Sequence, residues 1–71
     1  MQGVVFVGDK IRRLRDAHAL TQEELATKAG ITVAALSRIE RNNAEPRPTT
    51  RRKLAQALGV DPSQLVEDQP T

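Results

Sequence analysis

The residues with the clearest chemical potential lie between Thr21 and Glu40. Thr21 and Glu24 stand three apart, the spacing of a capping box, in which a hydroxyl and a carboxylate each satisfy a backbone N–H at a helix start. The amides left over at such a start form a ready seat for an anion. Thr32 caps a further helix, and Leu36 and Ile39 give that helix its buried side. Its opposite side carries Val33, Ala34, Ser37, Arg38 and Arg41, with Thr32 at the start. An anion seat beside a projecting row with two guanidiniums is binding chemistry.

Bond-making chemistry finds little support. Gly3-Val4-Val5-Phe6-Val7-Gly8-Asp9-Lys10 is a near miss to a phosphate-binding loop, but Asp9 occupies the position of the required Lys and no Ser or Thr follows. His18 is the only His and there is no Cys, so no metal ligand set forms. Asp16 and His18 are two apart and would not face each other on a helix. Ser37 and Ser63 lack a visible base partner. The reading is a protein that is not an enzyme and takes no cofactor.

Five helices are expected to position this chemistry, and no segment between 9 and 67 alternates as a strand, so the fold class is all-α. Asp9 is placed to cap the first helix, with Ile11 and Leu14 on its apolar side. The second starts at Thr21, buries Leu25, Ala26 and Ala29, and stops at Gly30. The third runs from Thr32 and fades near Arg41-Asn42-Asn43. Residues 42–48 read as a loop, Pro48 opens a fourth helix bearing Leu54, Ala55 and Leu58, and Gly59 stops it. Asp61, Pro62 and Gln64 then repeat the capping-box device for a short fifth helix. Two short helices meeting at a tight Gly30 turn form a helix-turn-helix, whose second helix can enter a DNA major groove.

Particular stretches carry a family resemblance. Ile11-Arg12-Arg13-Leu14-Arg15, Leu20-Thr21-Gln22-Glu23-Glu24-Leu25-Ala26, Ala29-Gly30-Ile31-Thr32, Leu36-Ser37-Arg38-Ile39-Glu40 and Lys53-Leu54-Ala55-Gln56-Ala57-Leu58-Gly59-Val60 together resemble the lambda-repressor/Cro-like (XRE-type) DNA-binding domain over residues 9–66. The resemblance implies a compact five-helix domain that binds double-stranded DNA. It implies phosphate contacts from Thr21 and Gln22, and from Arg41, Asn42, Asn43 and Arg47 in the following loop. It places Thr32, Val33, Ala34, Ser37 and Arg38 at groove-facing positions, where Arg38 suits bidentate donation to guanine O6 and N7. Val33 and Ala34 depart from the polar residues of many relatives and suit thymine methyls. It further implies an ion pair between Arg15 and Glu40. Arg51 replaces a frequently apolar residue, so the fourth helix is expected to sit slightly differently.

Composition agrees with a groove reader. The 71 residues carry a formal +2, but residues 61–71 hold three acids and no base, −3, leaving 11 bases and 6 acids, +5, in residues 1–60. Aromatic residues make up 1%, too few for the stacking platforms of single-strand and RNA readers. Val4-Val5-Phe6-Val7 is too short to span a membrane and lacks a signal peptide's basic flank, so a cytoplasmic protein is expected. Residues 1–8 read as an apolar lead, 9–67 as the DNA-binding domain and 68–71 as a tail. Val4, Val5, Phe6 and Val7 invite pairing with a second copy, and Leu65 and Val66 on the exposed side of the fifth helix are a second dimer candidate. The expected function is a homodimeric, sequence-specific transcriptional regulator, most simply a repressor, on a palindromic operator. The alternative is an antitoxin-like interaction module whose third helix and lead bind a partner protein.

Overall fold

The computed structural model describes residues 6–66. Four α-helices follow one another: α1 (Val7–Ala17), α2 (Gln22–Ala29), α3 (Val33–Glu40) and α4 (Pro48–Leu58). A single 3-10 turn, Pro62–Gln64, replaces the expected fifth helix. Its capping box forms as the sequence indicates: Ser63 N–H donates to Asp61 Oδ1 at 2.9 Å and Asp61 N–H to Gln64 Oε1 at 3.1 Å. The Ser63 amide holds the exposed Asp61 carboxyl below its ordinary value. The turn does not propagate, because a cap offsets only part of the cost of nucleating a helix and Leu65 must turn inward immediately after it. No strand occurs among the described residues, so the all-α class holds.

The first helix also differs from its expected form. It begins at Val7 rather than after Asp9, with Phe6 in the N-cap position and no side-chain cap of its own. Val7 and Gly8 therefore belong to α1, not to a lead, while Val4 and Val5 lie outside the described residues. Asp9 sits in the first turn, where its charge favours the helix dipole.

All four helices end alike. Each closes with one residue at positive φ: Ala19 (55°), Gly30 (72°), Asn42 (62°) and Gly59 (70°). After each, the next amide reaches back to the carbonyl five positions earlier: Leu20 to Arg15, Ile31 to Ala26, Asn43 to Arg38 and Val60 to Ala55. This is the Schellman stop, and it satisfies carbonyls that the helix leaves orphaned. Glycine fills two of the four left-handed positions at no steric cost, whereas Ala19 bears the full penalty.

The core gathers one stripe from each helix. Ile11, Leu25, Leu36, Leu54, Leu58 and Leu65 are fully buried, with Ala26, Ala29 and Ala55 between them. Each large side chain contributes about 1.5–3 kcal/mol of hydrophobic stabilisation. The small residues let α2 lie against both α3 and α4, while α1 packs on α3 and the terminal turn closes on α4.

Candidate nucleic-acid interface

The α2 start is built locally. Glu24 N–H donates to Thr21 Oγ1 at 3.0 Å, and Thr21 N–H donates to Glu24 Oε1 at 2.8 Å. The box consumes those two donors. The N–H groups of Gln22 and Glu23 have no partner among the described residues and point out of a helix end, as an anion seat requires.

Gln22 is only half-exposed, because its side chain turns toward α3. Its Nε2 donates to Glu40 Oε1 at 3.1 Å. A carboxylate accepts only, so the amide is oriented with nitrogen inward, and its second Nε2 hydrogen stays available. Glu40 is the one buried charged residue of the described chain, 4% exposed. Arg15 from α1 meets it with a two-pronged contact, Nε to Oε2 at 2.7 Å and Nη2 to Oε1 at 3.0 Å. The third guanidinium nitrogen donates to the Leu20 carbonyl at 2.9 Å. The hydrogen bond to Glu40 holds the Arg15 guanidinium above its ordinary value, against the opposing effect of burial. The expected Arg15–Glu40 pair is thus present, and Gln22 joins it to link three helices.

Helix α3 carries the row for which the resemblance implies groove contacts. Thr32 caps it, accepting from Ala35 N–H at 3.0 Å. Val33, Ala34 and Arg38 are exposed, and Val33 is one of three exposed large hydrophobic side chains among the described residues, with Phe6 and Val66. Ser37 is half-buried, and its Oγ accepts from Arg41 Nη2 at 3.0 Å, leaving its hydroxyl hydrogen to donate. Arg38 and Arg47 line one shallow groove between α3 and the start of α4, with Ile31, Ala35, Ala44 and Thr50. Arg38, Arg41 and Arg47 form no ion pair within 4.0 Å among the described residues, although Glu45 lines the same groove as Arg38 and Arg47.

Two residues stand differently from expectation. Asn42 is exposed, but its Oδ1 accepts from Gly8 N–H at 3.1 Å and so caps α1 from the end of α3. A Cβ on Gly8 would collide with the Ile39 carbonyl and Asn42 Oδ1, so glycine is required for this close approach. The only signal in the sequence was the glycine itself, paired with nothing nearby. Leu65 is fully buried and cannot serve as a surface contact of the folded chain; of that candidate pair, Val66 alone is exposed. Its carbonyl accepts from Lys10 Nζ at 2.6 Å, which ties the chain end to α1. Arg51 is half-buried beside Val7, Glu45 and Leu65. Asn43 is exposed at the loop.

Among the described residues no group of three His, Cys, Asp or Glu side chains could hold a metal, and no helix is long and apolar enough to cross a membrane.

Comparison with known proteins places this architecture. The helix-turn-helix family profile matches residues 11–65. The chain is 43% identical over 61 residues to the uncharacterized HTH-type transcriptional regulator y4dJ of Sinorhizobium fredii, covering 86% of this chain and 79% of that protein. It is 43% identical over 54 residues to the HTH-type transcriptional repressor RghR of Bacillus subtilis, covering 75% of this chain but only 40% of RghR. The crystal structure of SinR, the master regulator for biofilm formation, in complex with DNA superposes with a TM-score of 0.81 at 33% identity, covering 84% of this chain and 97% of that one. The chain belongs to the helix-turn-helix family, in its lambda-repressor/Cro-like (XRE-type) branch.

Proposed function

We propose that this DNA-binding regulator is a sequence-specific repressor that binds a palindromic operator as a homodimer in the cytoplasm. The observation that carries the reading is the juxtaposition of two surfaces. The self-capped α2 start offers free amide donors beside the α3 row of Thr32, Val33, Ala34, Ser37 and Arg38. Phosphate contacts at the first orient the protein, and base-edge contacts at the second select sequence. Thr21, Gln22, Arg41, Asn42, Asn43 and Arg47 serve the phosphates. Asn42 does so through its Nδ2, since its Oδ1 is occupied by Gly8. Arg38 reads guanine, while Val33 and Ala34 pack on thymine methyls. Two such units would meet half-sites about 34–36 Å apart. Phe6 and Val66, exposed at the two ends of the described chain, are the candidate dimer surface.

Selection from random DNA duplexes tests this reading. The wild type should enrich one palindrome, and Arg38→Ala should relax preference at one base pair per half-site, a loss of about 1–3 kcal/mol. A wild type that enriches no motif would overturn the repressor reading. A second reading, capture of a partner protein by α3, is favoured by the exposure of Val33 on that helix. It would then gain from the same result.

A further inference from the structure

We propose that Arg41 is a positioning residue for base recognition: by donating to the Ser37 hydroxyl it commits Ser37 to the donor role, so that Ser37 selects guanine and rejects cytosine. The inference rests on the base-reading role given to Ser37 above. Ser37 and Arg41 stand four apart, on one side of the last turn of α3. Arg41 is the residue that closes this helix, and it returns to Ser37 twice. Its N–H donates to the Ser37 carbonyl at 3.1 Å, and its Nη2 donates to Ser37 Oγ at 3.0 Å. Arg41 forms no ion pair within 4.0 Å among the described residues, so no acid competes with Ser37 for it. A serine hydroxyl both donates and accepts, and left alone it rotates to suit either kind of partner. Such a hydroxyl serves any base and distinguishes none well. Here a charged donor occupies one side of the oxygen, and the hydroxyl hydrogen has no acceptor among the described residues. The guanidinium repels that hydrogen and turns it outward. A cytosine N4 amino group offered to the remaining lone pair would bring a second positive N–H edge toward the same charge. Guanine brings two acceptors, O6 and N7, and no donor to the major groove. The guanidinium carries several N–H donors, and spending one on Ser37 leaves the rest for the phosphate contact given to Arg41 above.

A residue that only holds phosphate weakens all sequences alike, whereas one that sets the sense of a base-reading hydroxyl changes the motif. The experiment uses the full chain as wild type, Ser37→Ala, Arg41→Ala and the double variant. Duplex selection gives the motif of each, and Kd is then measured for the wild-type site and its single base-pair replacements across a salt series. Both side chains lie outside the core, so the variants should fold, and thermal melts check that they do. Ser37→Ala should remove the preference for G·C over C·G at one base pair per half-site, about 5-fold in Kd. That base pair should differ from the one that Arg38→Ala relaxes. Arg41→Ala should relax the same base pair as Ser37→Ala. It should also weaken every duplex and lower the salt slope by about 1 per half-site, through the lost phosphate contact. The double variant should lose no more preference at that base pair than either single variant. Uniform weakening by Arg41→Ala with the motif intact would overturn the proposal, because Arg41 would then serve phosphate alone. So would a motif that Ser37→Ala leaves unchanged, or a relaxed base pair other than G·C. A wild type that enriches no motif would instead remove the operator reading, and the proposal with it.

Discussion

Helices α1 and α2 begin in opposite ways. The α2 start is self-sufficient: Thr21 and Glu24 exchange hydrogen bonds across three residues. The α1 start has no cap of its own and borrows Asn42, 34 positions away. The first device forms as soon as the local chain turns. The second exists only once α3 has stopped in the left-handed conformation at Asn42 and Gly8 has allowed the backbones together. The surface assigned to DNA stands on the locally specified side, whereas the helix that buttresses it depends on the assembled fold.

The division can be broken most forcefully at the ion pair that joins α1 to α3. Glu40→Ala would leave the half-buried Arg15 guanidinium with only Asp16, at 3.5 Å, and the Leu20 carbonyl, and would release Gln22, lowering stability by up to about 3–5 kcal/mol in a urea melt. A loss below about 1 kcal/mol would show that the pair behaves as a surface contact. Gly8→Ala comes next. The new methyl meets the Ile39 carbonyl and Asn42 Oδ1, and main chain cannot swing aside, so a loss of about 1–3 kcal/mol is expected with α1 displaced from α3.

Two cap removals sharpen the contrast directly. Asn42→Gly preserves the left-handed conformation and deletes only the borrowed cap, and Thr21→Ala deletes the local one. Each should lower stability by about 0.5–2 kcal/mol. Hydrogen exchange should locate the damage differently, at the first turn of α1 for Asn42→Gly and at the first turn of α2 for Thr21→Ala. Equal loss of protection in both helices from either change would dissolve the distinction. The smallest effect is a gain. Ala19 occupies a left-handed position that glycine fills elsewhere in this chain, so Ala19→Gly should raise stability by about 1 kcal/mol. No gain would mean that the unfolded chain's added freedom offsets the relieved strain.

Much of the interface was legible in advance because its devices are short. The Thr21–Glu24 box, the Thr32 cap, the Gly30 stop and the Leu25, Leu36 and Leu54 stripes all depend on residues within one or two turns of each other. The Arg15–Glu40 pair came from family resemblance, since nothing in the spacing of two distant charges shows that they meet. The Asp61–Gln64 box was legible, but the length of what it caps was not: Leu65 is drawn into the core and the helix ends after one turn. Ala19 gave no sign of its left-handed role, because the residue type argues against it and the closing bonds of the stop outweigh that preference.

Local chemistry, then, was enough to specify the spans of α2, α3 and α4, the glycine stops of α2 and α4, and a projecting row bearing Val33 and Arg38, because these follow from hydrogen bonds and periodicities that span a few residues. Three features waited on packing: Gln22 turning inward to Glu40, Asn42 capping α1, and Leu65 entering the core. Each joins groups that the chain holds far apart, and the entropy of bringing such groups together is met only by the burial of the whole core.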